Sequence, residues 1–433
     1  MQLTEATLHI KNGKISSIFK GYYILENIDI KSYENSIIMP GIIDAHVHIN
    51  EPGRTDWEGF DSATKAAAIG GITTLIEMPL NANPVTTNIK AFEIKKQAAK
   101  NKLHVNCGFY GGAIPNNEKD IEPLINAGVF GIKGFLTHSG IDAFPNVSKE
   151  DLEKIAPILA KYDIPLLLHC ELVGRKNIPQ VHNNPKSYRA YLASRPTEWE
   201  LNALKLTLDI QEKYNIKTHI VHLSASSGLE SINKRKKSTK KITVETCPHY
   251  LFFNAENIPD ASPIYKCAPP IRDKENNDAL WGGLLNSEFD FLASDHSPAP
   301  PEIKKLNEGN LFEAWGGIAG LQFTLPVVWT AGLKKGLTLK KLIPLLTINP
   351  AKFLGLDHRK GILKEGFDAD ITVWNDEEQF TVTEDIIAHK HKATPYMNHK
   401  LKGKIIHTFV NGIQVIKNSQ LKELNAGKLL LKN

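Results

Sequence analysis

Ile43-Asp44-Ala45-His46-Val47-His48-Ile49-Asn50-Glu51-Pro52-Gly53-Arg54 is the stretch on which the reading of this chain turns. The apolar run leading into it, Ile37-Ile38-Met39-Pro40-Gly41-Ile42-Ile43, reads as a buried strand that ends in two histidines one residue apart, where the chain becomes polar and turns. In an extended chain residues i and i+2 point to the same side, so both imidazoles face one space and form half of a metal site. A chain with 16 histidines produces such a pair by chance. The reading therefore depends on whether further ligands stand at the ends of other strands.

Downstream of the pair, strand-like runs alternate with helical patterns, the sign of β-α units and a parallel sheet. The second run is Gly71–Pro79, preceded by the helix-like Ala63–Ala68; the third is Leu103–Tyr110 and the fourth Val129–Phe135. Ile164–His169, Thr218–His222, Ile242–Cys247 and Phe289–Asp295 follow. Eight such units fit an α/β fold of the (β/α)8 TIM-like barrel type, and an open doubly wound sheet has the same local pattern. The polar residues favour the barrel. His46, His48, Lys133, His169, His222 and Asp295 all fall at the C-terminal ends of their runs, where a barrel gathers its active site and an open sheet would scatter them along a line.

The two ends of the chain read differently. Residues 1–36 hold short β-like runs, Thr7–Ile10, Ile15–Phe19 and Ile28-Asp29-Ile30, separated by turn residues such as Asn12-Gly13. Residues 351–433 hold Ala369–Trp374, then Ile405–Val410 and Ile413–Ile416 around the hairpin signal Asn411-Gly412. We expect 1–36 and 351–433 to form one small β-sheet domain beside a barrel of residues 37–350.

At 433 residues, 42% of them apolar and 23% charged, the chain has an ordinary globular balance. No apolar segment approaches the roughly 20 residues that span a bilayer, and Met1–Thr7 lacks the charged start and apolar middle of a signal peptide, so a cytoplasmic protein with no membrane partner is expected. Cys107, Cys170, Cys247 and Cys267 form no Cys-x-x-Cys pair, which argues against a zinc ribbon or a disulfide framework. The net charge of +5 is small, and the basic run Lys234-Arg235-Lys236-Lys237, continuing to Lys240-Lys241, reads as a solvated helix end. Without interleaved aromatics it offers no nucleic-acid surface.

Singly, each polar strand end has an ordinary explanation: a satisfied core histidine, a lysine reaching solvent, an aspartate capping a helix. Jointly, those explanations require five strands each to place a costly polar group at a buried terminus without shared purpose.

At these residues the chain resembles the cyclic amidohydrolases with a two-metal barrel site, and within them the allantoinases. The likeness is carried by His46–Arg54, Lys133–Asp142, Tyr191–Pro196, Glu245–Tyr250, Lys266–Arg272, Ser294–Pro298 and Trp315-Gly316-Gly317. The resemblance implies that His46 and His48 hold one metal and His169 and His222 the second. It also implies that Lys133, carboxylated by CO2, bridges both and that Asp295 binds the first metal and acts as a base. The chemistry is coherent, because an ammonium cannot be a ligand whereas a carbamate offers two anionic oxygens. Two divalent ions are thereby expected, zinc foremost, with cobalt, nickel, iron or manganese also compatible with His and carboxylate ligands. The implied reaction is attack on a ring amide by a hydroxide bridging the metals, with Asp295 passing the proton to the departing nitrogen and no covalent enzyme intermediate.

The implied substrate is allantoin, opened to allantoate in purine and ureide breakdown. Dihydroorotases resemble allantoinases closely, but after the two histidines they read Leu-Arg, and that Arg pairs with the substrate carboxylate. Here Ile49-Asn50 stands there, and a neutral amide suits a hydantoin ring with a ureido group. Asn50, Asn81 and Ser139 are the candidate substrate contacts, the two asparagines being equally at home as turn formers and Ser139 as a loop residue. His138 and His249 lie near the same mouth, and neither is needed as a ligand. Trp315 and Gly316-Gly317 fit a loop over the site. The rival readings are a dihydroorotase or a hydantoinase/dihydropyrimidinase and, from another class, a metal-free scaffold; relatives of that last kind lose ligands, and this chain retains all six. The family implies a homo-oligomer, dimer or tetramer.

Overall fold

The apolar run 37–43 is two strands, not one. In the computed structural model, which describes residues 3–24, 28, 30–173, 184–422 and 425–432, Ile37–Pro40 pairs antiparallel with Ile371–Trp374, whereas Ile42–Val47 pairs in parallel with Ile72–Glu77. The break falls at Gly41, where a Cβ would stand 2.1 Å from the Thr73 hydroxyl oxygen. Only glycine lets the chain cross from one sheet to the other at that distance.

The parallel strands are Ile42–Val47, Ile72–Glu77, Asn106–Phe109 continued by Gly111–Gly112, Ile132–Phe135, Leu166–His169, Thr218–Ile220, Ile242–Thr246 and Phe291–Leu292. Each pairs with the next. The ring closes where Val47 bridges His296 in parallel and the His48 N–H donates to the His296 carbonyl at 2.8 Å. This closure makes the sheet a (β/α)8 barrel and excludes the open alternative.

The helices between the strands follow from local sequence. Lys149–Tyr162 starts at a reciprocal Ser148/Asp151 capping box, ends at Asp163 in the left-handed region, and buries Leu152, Ile155, Ala156 and Leu159 at helical spacing. The basic run occupies the last turn of Gly228–Lys236, where cations suit the helix dipole; Arg235 pairs with Glu212 at 2.5 Å and Lys236 with Asp290 at 2.6 Å.

Inside the barrel, Ile43, Ala45, Ile76, Phe130, Leu167, Val221, Phe291 and Ala293 form one apolar cluster, which Leu354, Leu356 and Leu430 extend. Leu430 lies on a C-terminal segment stitched to the third strand. The Cys107 N–H donates to the Lys428 carbonyl at 2.9 Å and the Leu430 N–H to the Cys107 carbonyl at 2.8 Å. Nothing in the sequence pattern pointed to this plug.

The second sheet is five-stranded and antiparallel, built from Ile37–Pro40, Ile371–Thr381, Lys400–Val410, Ile413–Lys417 and Gln420–Leu421. Asn411 (φ 52°) and Gly412 (φ 79°) make its predicted tight turn, and Asn12 (φ 52°) and Gly13 (φ 77°) make that of the hairpin Ala6–Lys11/Lys14–Lys20. This hairpin joins the C-terminal segment through Ile15 N–H to Phe367 O and Ala369 N–H to Gly13 O, both 2.9 Å. Of the run Ile28-Asp29-Ile30, Asp29 lies outside the described residues, and Ile28 and Ile30 belong to no strand. The four cysteines are buried and free. Among the described residues no helix is long and apolar enough to cross a membrane.

One ion pair ties a helix to the barrel wall. Lys95 Nζ lies 2.5 Å from Glu77 Oε2, and both side chains are fully buried. Removing one member of such a pair leaves an uncompensated buried charge. Lys95→Met is expected to lower unfolding stability in urea by about 3–5 kcal/mol, and the double variant Lys95→Met/Glu77→Leu to recover most of that loss. A single-variant loss below about 1 kcal/mol would show that the pair contributes nothing to the fold.

Candidate active site

The barrel directs six side chains into its C-terminal mouth by different means. On the fourth and fifth strands simple alternation suffices: Lys133 and Phe135 alternate with Ile132 of the outer core, and Leu167 of the interior cluster is followed by His169 on the same face. On the first strand alternation would turn His46 away, because Ile43 and Ala45 already face the interior. The pairing register shifts between Asp44 and Val47, and such an irregularity re-aims the side chains beyond it. Just past the sixth strand Val221 faces inward, and His222 is brought in by a left-handed backbone, φ 37°. Asp295 also has a positive φ, 47°. Two non-glycine residues in this sparsely populated region, both at the same mouth, mark a place where the fold sustains strain.

The six converge. His46 Nε2 and His48 Nε2 lie 3.1 and 3.3 Å from Asp295 Oδ1. Across the mouth His169 Nδ1 and His222 Nε2 face each other at 3.1 Å. Ligand atoms of His46, His222 and Asp295 all lie within 4.8 Å of one another. His46 Nε2, His48 Nδ1, His222 Nδ1 and Lys133 Nζ are buried without a hydrogen-bond partner among the described residues. Buried polar atoms are seldom left unpaired, so a set of imidazole nitrogens, one carboxylate and one amine aimed at a common space fits divalent cations by its donor chemistry.

The electrostatics agree with that fit. Burial alone would lower the His46 pKa, but the Asp295 and Glu245 carboxylates outweigh it and raise it to about 9. A field that favours a proton there favours any cation there. His48 is pulled down to about 4 by burial, despite Asp295. Burial lowers His222 well below the ordinary range, and His169 in the same direction. Neutral imidazoles of this kind have their lone pairs free for a metal. Burial would raise Asp295, yet His46 and His48 hold it well below the usual carboxylate range. Lys133 is pulled down to about 8 by burial, against the pull of Asp295 and Glu245.

Two carboxylates given no role in the sequence reading orient the histidines. Glu245 Oε1 accepts from His46 Nδ1 at 2.5 Å and from the His222 N–H at 3.2 Å, while Oε2 lies 3.1 Å from His219 Nε2. Glu171 Oε2 lies 2.7 Å from His169 Nε2, and the Arg195 guanidinium clamps the same carboxylate. Glu245 was visible as the one charged residue in an otherwise uncharged strand, but its partners are remote in sequence. Outer contacts of this sort fix the tautomer and ring orientation of metal-binding histidines.

Asn50 and Asn81 are both buried and both left-handed, φ 65° and 73°, so each serves as a turn former. The Oδ1 of each has no hydrogen-bond partner among the described residues, while Asn50 Nδ2 donates to the Pro298 carbonyl at 3.3 Å and the Asn81 backbone carbonyl accepts from Arg54 at 2.9 Å. The Ser139 hydroxyl lies 2.6 Å from the Phe144 carbonyl and 3.2 Å from that of Ile141, within its own loop. His138 is exposed and lies 3.4 Å from Asp142. Trp315 packs edge-on against Trp57 at 4.8 Å with its Nε1 buried and unpartnered.

Comparison with known proteins agrees with this geometry. The model of the amidohydrolase family matches residues 37–415. An allantoinase of Arabidopsis thaliana is 43% identical over 428 residues, covering 95% of this chain and 84% of that protein. An allantoinase of Saccharomyces cerevisiae is 38% identical over 421 residues, covering 94% and 91%. Among solved structures, an L-hydantoinase (dihydropyrimidinase) from Arthrobacter aurescens superposes with a TM-score of 0.91 at 30% identity, covering 99% of this chain and 96% of that one. The chain thus belongs to the amidohydrolase family and, within it, to the allantoinases.

Proposed function

We propose that this protein hydrolyses the cyclic amide of allantoin to allantoate, with His46, His48, Lys133, His169, His222 and Asp295 as the ligands of two divalent ions. The observation that carries the reading is the convergence of these side chains at the barrel mouth, with four of their nitrogens buried and without a hydrogen-bond partner among the described residues. His46, His48 and Asp295 would hold one ion and His169 and His222 the other, with Lys133 between them. When bound, two such ions lower the pKa of water and polarise a carbonyl, and zinc foremost among the candidate metals suits these ligands.

The rest of the chemistry belongs to the chain. Asp295, kept ionised by His46 and His48, takes a proton from the attacking water and returns it to the departing ring nitrogen. Glu245 and Glu171 hold the rings of His46 and His169 in place. Lys133, lowered by burial and without a hydrogen-bond partner among the described residues, has more free amine at neutral pH than an exposed lysine. That lone pair adds to the carbon of CO2, an N–C bond forms, a proton leaves to solvent, and the resulting carbamate is an anionic ligand. Asn50 and Asn81, whose Oδ1 atoms have no hydrogen-bond partner among the described residues, would offer uncharged acceptors to the N–H groups of a ureide, and Ser139 is the third candidate contact. An uncharged Asn50 leaves a ring carboxylate poorly compensated, which sets allantoin above dihydroorotate. We also place the protein in the cytoplasm and as a homo-oligomer.

Three experiments test the proposal. Metal-supplemented protein in bicarbonate buffer, assayed on allantoin and dihydroorotate side by side, is expected to turn over allantoin with a kcat/KM at least about 100-fold higher. Preference for dihydroorotate would overturn the substrate, and the absence of both turnover and bound metal would favour a scaffold. Asp295→Asn is expected to lower kcat by about 10²–10⁴-fold with KM little changed, and retained turnover would remove Asp295 as the base. Lys133→Ala is expected to lose bound metal together with activity, as read by elemental analysis of the purified protein. Two ions still tightly held in that variant would exclude the bridging role.

A further inference from the structure

His249 is a buried histidine that the mechanism above does not use. Its residue exposure is 1%, and neither Nδ1 nor Nε2 has a hydrogen-bond partner among the described residues. By contrast, His219 in the same barrel uses both ring nitrogens, on Thr243 at 2.8 Å and Glu245 at 3.1 Å. A buried imidazole with two unmet polar atoms is costly unless something else meets them.

Its position shows what that would be. His249 stands in the short helix Pro248–Phe252, directly after the seventh strand. The seventh strand adjoins the eighth, whose run leads into Asp295, and the Ala293 N–H donates to the Thr246 carbonyl at 3.3 Å. Asp295 and His46 are the charged groups whose fields reach the His249 ring. The ring is held by packing: Tyr250 lies edge-on to it at 4.2 Å, and the Tyr250 hydroxyl is anchored to the Pro269 carbonyl at 2.8 Å. Burial pulls the imidazole down to about 4, so at neutral pH it is uncharged and offers one N–H donor and one lone pair.

A cyclic ureide alternates carbonyl oxygens and N–H groups around its ring, so it can satisfy both a donor and an acceptor. We infer that His249 is a substrate-binding residue whose two buried ring nitrogens hydrogen-bond the reacting ring on the seventh-strand side of Asp295. The inference rests on the cyclic-amide reading of the site.

The test compares wild type, His249→Phe and His249→Gln on allantoin and on unsubstituted hydantoin, with metal content determined on each sample. Phe keeps a flat ring and removes both nitrogens; Gln restores a donor and an acceptor. The expected result is a loss of kcat/KM of at least about tenfold in H249F on every ring the wild type opens, at unchanged metal content, with H249Q restored to within about threefold. An H249F enzyme within about twofold of wild type, a loss confined to allantoin, or metal lost in parallel with activity would each overturn the inference. If H249F does not fold, the same criteria apply to H249Q against His249→Ala. A wild type that opens hydantoin but not allantoin would sink the allantoin assignment while His249 is still judged on hydantoin. A wild type that opens no cyclic amide would sink both.

Discussion

A carboxylate buried inside a barrel needs partners on more than one side, and Glu245 finds them on the first strand and on and just beyond the sixth. It accepts from the side chain of His46 on the first strand, from the backbone N–H of His222 beyond the sixth, and meets His219 on the sixth. Each contact lowers the cost of burying the charge, and together they hold Glu245 below the usual carboxylate range even though burial pushes the other way. The consequence reaches the mouth. With Nδ1 committed to Glu245, the other nitrogen of His46 is left facing Asp295, and the two halves of the ring closure are held in one register. Glu171 does the same for His169, with Arg195 supplying the countercharge. Without these two carboxylates the imidazoles would be buried rings free to turn.

The periodic pattern made the barrel legible because strands buried on both faces read as continuous apolar runs, and polar residues stand out where those runs end. The boundaries came out shorter than the runs: Leu103–Tyr110 contains the strand Asn106–Phe109, and Phe289–Asp295 contains Phe291–Leu292. What the pattern cannot carry is proximity across the chain. The need for glycine at position 41 lies in Thr73, the role of Glu245 lies 199 residues away at His46, and the barrel is closed at its far end by Leu430. Alternation also failed where chemistry required it to fail. Counting by two from Ile43 and Val221 sends His46 and His222 outward, and it takes a register shift and a left-handed residue to bring them back.

Those departures are not scattered. Asn50, Asn81, His222 and Asp295 all combine a positive φ with burial, and all stand just beyond strand ends at the C-terminal mouth. Leu354, Leu356 and Leu430 extend the apolar interior, and the buried polar groups beside the Leu430 segment, Asn106, Lys360 and Asp370, are paired with one another. Stability and chemistry are therefore separated along the barrel axis, as the fold permits, and the closed apolar end is what allows the mouth to sustain strained backbone and unpaired polar atoms.

Charge decides how the proposed centre is completed. Asp295 is the one anionic side chain among the six proposed ligands, and the four histidines are neutral when they coordinate. Two divalent cations held by that set would leave a large uncompensated positive charge in a buried site, and an unmodified Lys133 ammonium would add to it. A carbamate at Lys133 reverses the sign of that contribution, turning a repelling cation into a second anion. Position favours it as well: Lys133 stands on the fourth strand beside the fifth, which carries His169, and its charge is felt at His48, His169 and His222 on both sides of the mouth. The same burial that leaves its amine without a hydrogen-bond partner among the described residues also lowers its pKa, and so supplies the free amine that the proposed carboxylation would consume.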